Sequence, residues 1–319
     1  MTPAASSDES RTEVGIVLEG TGGVWRVRTD GGETIEASLR GRLKQEPSEG
    51  VPLKLAVGDR VGVAPDERSQ AWTIVEILPR RSQLGRRAPG GKRTERVLAA
   101  NVDQVVVVFS IARPEPHVAM LDRFLAIAEA NDLPARIVVN KVDLGGAEAV
   151  EMKFGHYRRA GYPVHLTSVP QALGLDELRQ ALAGCASVLT GPSGVGKSSL
   201  LNELHPGLGL RVGEISESVN KGRHTTVGGY LHPLPGGGYV VDTPGLREVG
   251  LWGVPSRTLE QCFPELRPLL GECRFADCAH RTEPGCAVRD AVKRGDVAAS
   301  RYESYLKLRE ELEEAERAW

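Results

Sequence analysis

The chain has 319 residues, more than one hydrophobic core usually serves, so two or three domains are expected. Its hydrophobic share of 40% and charged share of 26% are those of an ordinary globular protein, and no apolar run approaches the ~20 residues that cross a bilayer. A formal net charge of −2 excludes a uniformly basic chain, so contact with a polyanion has to come from a local patch.

Residues 1–12 are small, polar and acidic, and read as a disordered tail rather than a signal or transit peptide. Residues 13–80 hold about five short strand-like runs separated by turn signals, which suggests a small β-barrel. Val24-Trp25-Arg26-Val27-Arg28 alternates with period two until Asp30-Gly31-Gly32 breaks it. An OB-fold and an SH3-like barrel both fit. The first would make nucleic-acid binding the leading expectation, although a fold alone does not license it.

Residues 81–252 read as a nucleotide-binding α/β domain, entered through a basic, Gly/Pro-containing linker at 81–96. Arg80, Arg81, Arg86, Arg87, Lys92, Arg93 and Arg96 crowd there with only Glu95 opposing them, as a solvated connector or a polyanion contact. Val105-Val106-Val107-Val108-Phe109 then begins a regular alternation of buried strands and amphipathic helices, the pattern of a doubly wound sheet. Helices are expected over 118–131, 147–160 and 175–183, and strands over 135–139, 163–167 and 186–189. A polar, Gly-rich stretch at 207–229 comes next, and then a hairpin enters Asp242.

Four motifs in this stretch carry chemistry. Gly191-Pro192-Ser193-Gly194-Val195-Gly196-Lys197-Ser198-Ser199 lies between an apolar strand and a helix start, the context of a P-loop. Its backbone N–H groups would cradle phosphate, Lys197 would reach the β- and γ-phosphates, and Ser198 would hold Mg²⁺. Asn140-Lys141-Val142-Asp143 follows a buried strand, where an α/β sheet binds ligands. The Asp143 carboxylate can accept from the N1–H and 2-amino group of guanine, which adenine cannot offer in that arrangement. Thr167-Ser168 would supply a small-residue turn under the base. Asp242-Thr243-Pro244-Gly245 follows a strand, so that Asp242 would hold Mg²⁺ through water and the Gly245 N–H would meet the γ-phosphate.

These motifs come in an unusual order. P-loop GTPases normally present the phosphate loop, a switch I threonine, Asp-x-x-Gly and then Asn-Lys-x-Asp, whereas here Asn140 to Asp143 comes first. With the barrel before it, Gly222-Arg223-His224-Thr225-Thr226 within it and a Cys/His cluster after it, the chain closely resembles the small-subunit-dependent, circularly permuted GTPases of the RsgA/YjeQ family. The resemblance covers all but the first dozen residues. It implies GTP hydrolysis by a late-stage assembly factor of the small (30S) ribosomal subunit, cytoplasmic and monomeric, that touches ribosomal RNA and is stimulated and released on the subunit. Val227 departs from a third threonine common in the family, which leaves open whether Thr225 or Thr226 meets Mg²⁺.

Leu246 stands where many GTPases place the glutamine that orients the attacking water, so another group should help hydrolysis. His224 is the candidate within the chain, in agreement with the resemblance. The alternatives are that it only orders its loop, or that a partner supplies an arginine or a water.

Residues 253–319 read as a metal-binding C-terminal domain. Cys273, Cys278, His280 and Cys286 are four soft or borderline ligands with no open position, which suits structural tetrahedral Zn²⁺ with Zn–S near ~2.3 Å. The resemblance implies zinc as well, and iron stays open as an alternative. Cys185 and Cys262 read as packed thiols, and such cysteine usage fits a reducing compartment. From residue 296 onward the chain reads as a charged amphipathic helix, packed on the knuckle, in contact with the ribosome or simply solvated. The rival function is an RNA-binding protein with a barrel, a zinc module and a weakly hydrolytic G domain.

Overall fold

A computed structural model describes residues 12–41, 55–66, 71–87, 95–210, 229–242, 251 and 254–317. Of Arg86, Arg87, Glu95, Arg96 and Asp242 it describes the backbone only.

Five strands, β1 (Glu13–Thr21), β2 (Val24–Thr29), β3 (Thr34–Leu39), β4 (Arg60–Pro65) and β5 (Trp72–Ile77), close into a barrel in the order β1-β2-β3-β5-β4. The β3–β5 pair is parallel, and β4 returns antiparallel to β1. That closure is the OB arrangement, which decides between the two barrels that the strand pattern left open. Along β1 the pleat sends Val17 into the barrel core, while Ile16 and Leu18 face outward into the main core of the molecule. The barrel is therefore welded to the α/β domain.

The supposed linker is not a connector. β6 (Gln83–Arg87) and β7 (Glu95–Ala100) pair antiparallel as a two-stranded ribbon, and Leu84 and Ala99 are fully buried in the main core. Only a few apolar residues anchor the ribbon among its charges, so no periodicity marked it. Lys92 and Arg93 lie outside the described residues.

Arg80 and the ribbon seat the barrel. The Arg80 guanidinium holds the buried Asp59 carboxylate through two bonds of 2.7 and 2.8 Å. Asn101 Nδ2 donates to the Gly58 carbonyl at 2.8 Å, and a Cβ at Gly58 would stand 2.1 Å from the Ala100 carbonyl oxygen. With φ at +86° as well, the position requires glycine.

The second sheet has six strands in the order β10-β9-β8-β11-β13-β12. They are β8 (Gln104–Ser110), β9 (Ala135–Asn140), β10 (Val164–Leu166), β11 (Ala186–Thr190), β12 (Tyr230–Pro233) and β13 (Tyr239–Asp242). All pair parallel except β12, which forms the expected hairpin with β13. Helices α1 (Val118–Ala130), α2 (Gly146–Arg159) and α3 (Leu175–Leu182) fall within a residue of their expected bounds, and α4 (Lys197–Leu204) forms where the P-loop pattern called for a helix start. Strand β8 is buried on both faces: Val105, Val107 and Phe109 join one core layer, and Val106 and Val108 the other with α3 and α4. Such two-sided burial explains its unbroken valine run.

The C-terminal region adds a 3₁₀ turn (Ser256–Cys262), α5 (Ala287–Arg294) and α6 (Ala299–Arg317). α6 is not a solvated helix. Tyr305 and Leu308 are buried, and Arg301 is 1% exposed between α6 and α1. Its guanidinium donates to Glu265 at 2.6 and 3.0 Å and to Asp122 of α1 at 2.9 Å, and lies 4.6 Å from the centre of the Phe263 ring. Burial opposes the charge on Arg301, but the two carboxylates outweigh it and hold its pKa above the ordinary value. Removing one member of such a group strands buried charges.

Arg301→Met should therefore destabilise the full chain by about 3–5 kcal/mol. Arg123→Ala, which breaks a half-exposed pair with Glu311 on the same two helices, should cost under about 1 kcal/mol. Urea unfolding followed by circular dichroism ranks the two variants, and equal midpoints would refute the assignment.

Candidate functional site

The phosphate loop leaves the carboxyl end of β11 and turns into α4 at Gly196, which has φ of +96°. A Cβ there would stand 2.6 Å from Asn140 Nδ2, so glycine is needed for the approach of the neighbouring loop as well as for the turn. Val195 is buried beneath the loop, while Ser193 and Gly194 are exposed. Lys197 is buried, with Nζ donating to the Gly191 and Pro192 carbonyls at 2.9 and 2.7 Å. Its ammonium is thus curled inside the loop it serves. Ser198 is buried at the first turn of α4, with Ser199 beside it. The first N–H groups of a helix lack intrahelical partners, which makes this end of α4 suited to an anion.

Asn140 to Asp143 follow β9, two strands away from β11, and fold over the phosphate loop. Asn140 is buried; its Nδ2 donates to the Val195 carbonyl at 2.9 Å and its Oδ1 accepts from Thr167 Oγ1 at 3.1 Å. One amide thereby ties three segments together. Lys141 Nζ donates to the Gly194 carbonyl at 2.6 Å and to the carbonyl of Arg113. Ser168 Oγ donates to Asp143 Oδ1 at 2.6 Å, which fixes the carboxylate edge while leaving Asp143 exposed.

Asp242 ends β13, whose register sets it beside Leu189 of β11. The rest of its motif, with Gly245 and Leu246, and the residues His224, Thr225 and Thr226 lie outside the described residues.

The second constellation is built by the chain between the 3₁₀ turn and α5. Ligand atoms of Cys273, Cys278, His280 and Cys286 all lie within 4.8 Å of one another. His280 Nδ1 is 3.6 Å from Cys273 Sγ and 3.4 Å from Cys286 Sγ, so Nδ1 is the inward-facing nitrogen. Its other nitrogen, Nε2, sits 3.2 Å from Glu260 Oε2. A carboxylate behind a histidine ligand fixes its tautomer and orientation, and sequence spacing had not marked Glu260 for this role. Burial pushes the Cys278 thiol up to about 12, so a cation has to compensate before all three sulfurs can be thiolates. The donor set and its closure suit Zn²⁺.

The rim of the knuckle is equally well tied. Backbone N–H groups of Ala279, Arg281 and Thr282 donate to the Glu283 carboxylate at 2.7–2.9 Å. Burial opposes its ionisation, but these bonds prevail and lower its pKa to about 2. Tyr302 of α6 donates to the His280 carbonyl at 2.5 Å. Outside the cluster, Cys262 is a packed thiol whose pKa burial raises to about 11, while Cys185 is only half-buried.

A phosphate loop on a parallel sheet, preceded in the chain by its base-reading loop and by an OB barrel, defines a circularly permuted P-loop GTPase. A family model described as RsgA GTPase matches residues 77–252. The small ribosomal subunit biogenesis GTPase RsgA of Gemmatimonas aurantiaca is 60% identical over 299 residues, which cover 93% of this chain and 97% of that protein. The protein of the same name from Moorella thermoacetica is 40% identical over 305 residues, covering 96% and 99%. Among solved structures, YjeQ from Thermotoga maritima superposes with a TM-score of 0.77 at 35% identity, covering 95% of this chain and 99% of that one. YloQ, a circularly permuted GTPase, superposes at 0.73 with 29% identity, covering 98% and 99%. The chain belongs to the RsgA GTPase family.

Replacing Glu260 by glutamine keeps the shape and removes the charge behind His280. Affinity for Zn²⁺ should fall by about 10–100-fold, measured by competition with a chromophoric chelator. An unchanged affinity would exclude Glu260 as the group that orients His280.

Proposed function

We propose that this protein hydrolyses GTP as an assembly factor of the small ribosomal subunit, with the subunit stimulating hydrolysis and hydrolysis releasing the protein. The observation that carries the GTP reading is the Asp143 carboxylate, held by Ser168 one loop away from a P-loop that Asn140 and Lys141 bind directly. The ribosomal reading is supported by relatives named small ribosomal subunit biogenesis GTPase, one of them 60% identical over 93% of this chain.

In this reading Gly191, Pro192, Ser193, Gly194, Val195, Gly196 and Ser199 wrap the phosphates. Lys197 swings from the Gly191 and Pro192 carbonyls to the β- and γ-phosphate oxygens, exchanging neutral acceptors for charged ones. Ser198, Asp242 and one of Thr225 and Thr226 hold Mg²⁺, which would neutralise charge on those oxygens. Asp143 accepts from the guanine edge while Thr167 and Ser168 line the base side. The Gly245 N–H meets the γ-phosphate, and His224 positions the attacking water in place of the glutamine that Leu246 replaces. Cys273, Cys278, His280 and Cys286 hold Zn²⁺ as a structural ion.

The domains divide the work. Residues 13–80 and 253–319 dock on ribosomal RNA, and residues 81–252 switch with the nucleotide. Because the G domain ends just after Asp242 to Gly245, the segment that senses the γ-phosphate leads straight into the C-terminal module. The protein acts in the cytoplasm as a monomer.

GTP and ATP turnover by the purified protein, with and without isolated small subunits, tests both halves. GTP-selective turnover that subunits raise at least about tenfold is expected, a modest part of what partner-supplied groups achieve elsewhere. GTP turnover that subunits leave unchanged would remove the ribosomal half, and selective ATP turnover would remove the guanine reading. Asp143→Asn should shift preference from GTP toward xanthosine triphosphate, because the amide donates where the carboxylate accepted. Lys197→Ala should lower turnover by about 10²-fold or more, and an unaffected rate would deny the site its chemistry.

A further inference from the structure

The barrel meets the six-stranded sheet at its β12 edge. Strand β12 is the last of that sheet, paired with β13, and β1 of the barrel packs against it. Leu18 of β1 and Leu231 of β12 are buried in the same core. Beside them, Arg26 of β2 sets its guanidinium 6.0 Å from the centre of the Tyr230 ring, which packs edge-on to His232 at 4.4 Å.

A β-bulge in β1 builds this contact. Val17 pairs with Val27 but Glu19 pairs with Arg26, so Leu18 is the extra residue. An unbroken register would set Glu19 opposite Trp25, on the face of β2 that carries Val27 into the barrel core. The bulge turns Glu19 outward instead, and its carboxylate accepts from Arg26 Nη1 at 2.8 Å. Arg26 is 43% exposed, and a long side chain at such a position sweeps solvent unless something holds it. Glu19 holds it, aimed at the ring.

Beyond the ring lies the phosphate side of the sheet. Tyr230 stands directly opposite Asp242 in the β12–β13 ladder, where paired backbones run about 4.5–5.5 Å apart. Asp242 in turn is beside Leu189 of β11, the strand that leads into the phosphate loop. A shift of β12 at Tyr230 is therefore a shift of the backbone that carries the proposed Mg²⁺ ligand. We propose that Arg26 and Tyr230 are positioning residues that carry docking of the barrel to the phosphate site: Glu19 aims Arg26, Arg26 holds Tyr230, and Tyr230 sets the backbone of Asp242. The inference rests on the reading of the chain as a GTPase stimulated by the small subunit, and adds to it a route within the protein. A free barrel has no outside anchor, so the contact transmits nothing and basal turnover does not depend on it. On the subunit the barrel is held by RNA, and the same contact holds β12 against that frame through packed side chains and one ladder.

The test measures GTP turnover by the full chain with and without isolated small subunits, and subunit affinity by co-sedimentation. Arg26→Ala and Tyr230→Leu should each lower the subunit-stimulated kcat by about two- to fivefold, the range of one exposed cation–π contact. Basal turnover and subunit affinity should stay at the wild-type values. The double variant should lose no more than either single one, because both remove the same contact. Tyr230→Phe keeps the ring and should match the wild type. Additive losses would overturn the proposal, and so would full stimulation in both single variants or an equal fall in basal and stimulated turnover. Weaker subunit binding by Arg26→Ala with Tyr230→Leu silent would make Arg26 an RNA contact and refute the relay. A wild-type protein that subunits leave unstimulated would remove the ribosomal reading itself, and the proposal with it.

Discussion

The nucleotide site depends on one buried side chain. Asn140 donates to the phosphate loop through Nδ2 and accepts from Thr167 through Oδ1, and Gly196 is bare of a side chain where that amide passes. The three loops come from the carboxyl ends of three different strands, and no covalent or local constraint would hold them in register. A buried amide bonded on both sides does, because leaving either partner unpaired away from water costs more than a solvent-exposed bond ever returns. The geometry of the P-loop and of the base-reading loop is therefore one problem with one solution.

A comparable constraint joins the C-terminal module to the G domain. Arg301 satisfies Asp122 of α1 and Glu265 together while aromatic rings surround it, and Tyr157 bonds the same Asp122 oxygen at 2.7 Å. A buried ion group of this kind adds little net stability over an apolar core, but it punishes any other arrangement severely. The metal knuckle hangs on the same helix, through Tyr302, which donates to the His280 carbonyl at 2.5 Å, and Tyr305, which donates to the Ala279 carbonyl at 3.3 Å. A displacement of the knuckle thus has to carry α6, and α6 has to carry or break its hold on α1. The barrel is fixed in turn by Asp59, Gly58 and the β6–β7 ribbon, so both modules meet the α/β domain through polar, specific joints.

Permuting the chain leaves the sheet intact because strand neighbours are set by packing and not by order in the sequence. The permutation alters which element leads into the next. In this chain β13 ends at Asp242, pairs with β11 and is the last strand of the sheet before the C-terminal module begins. The barrel meanwhile reaches β12 through Arg26, whose guanidinium lies 6.0 Å from the Tyr230 ring centre. The barrel therefore borders the hairpin that ends at Asp242.

The sequence by itself determined the class of fold and of enzyme. Glycine spacing with Lys197 and Ser198 after a strand is the pattern of a P-loop, Asn140 to Asp143 come before it in the chain, and the Cys/His spacing gathers four ligand atoms, because such patterns act over a few bonded neighbours. Strand and helix positions in the G domain were legible for the same reason: burial imposes a local period. What only tertiary structure decided involves partners far apart in the chain. Whether five strands close as an OB barrel depends on β3 meeting β5 in parallel and β4 meeting β1, and no local pattern encodes either pairing. The β6–β7 ribbon was hidden because a few anchoring apolar residues among arginines look like a linker until a core is there to receive Leu84. Arg301, Glu260 and Arg26 share that character. Charged groups gain their roles from what they face once the chain has folded, and the identity of a facing group tens or hundreds of residues away is not written in the neighbours of either one.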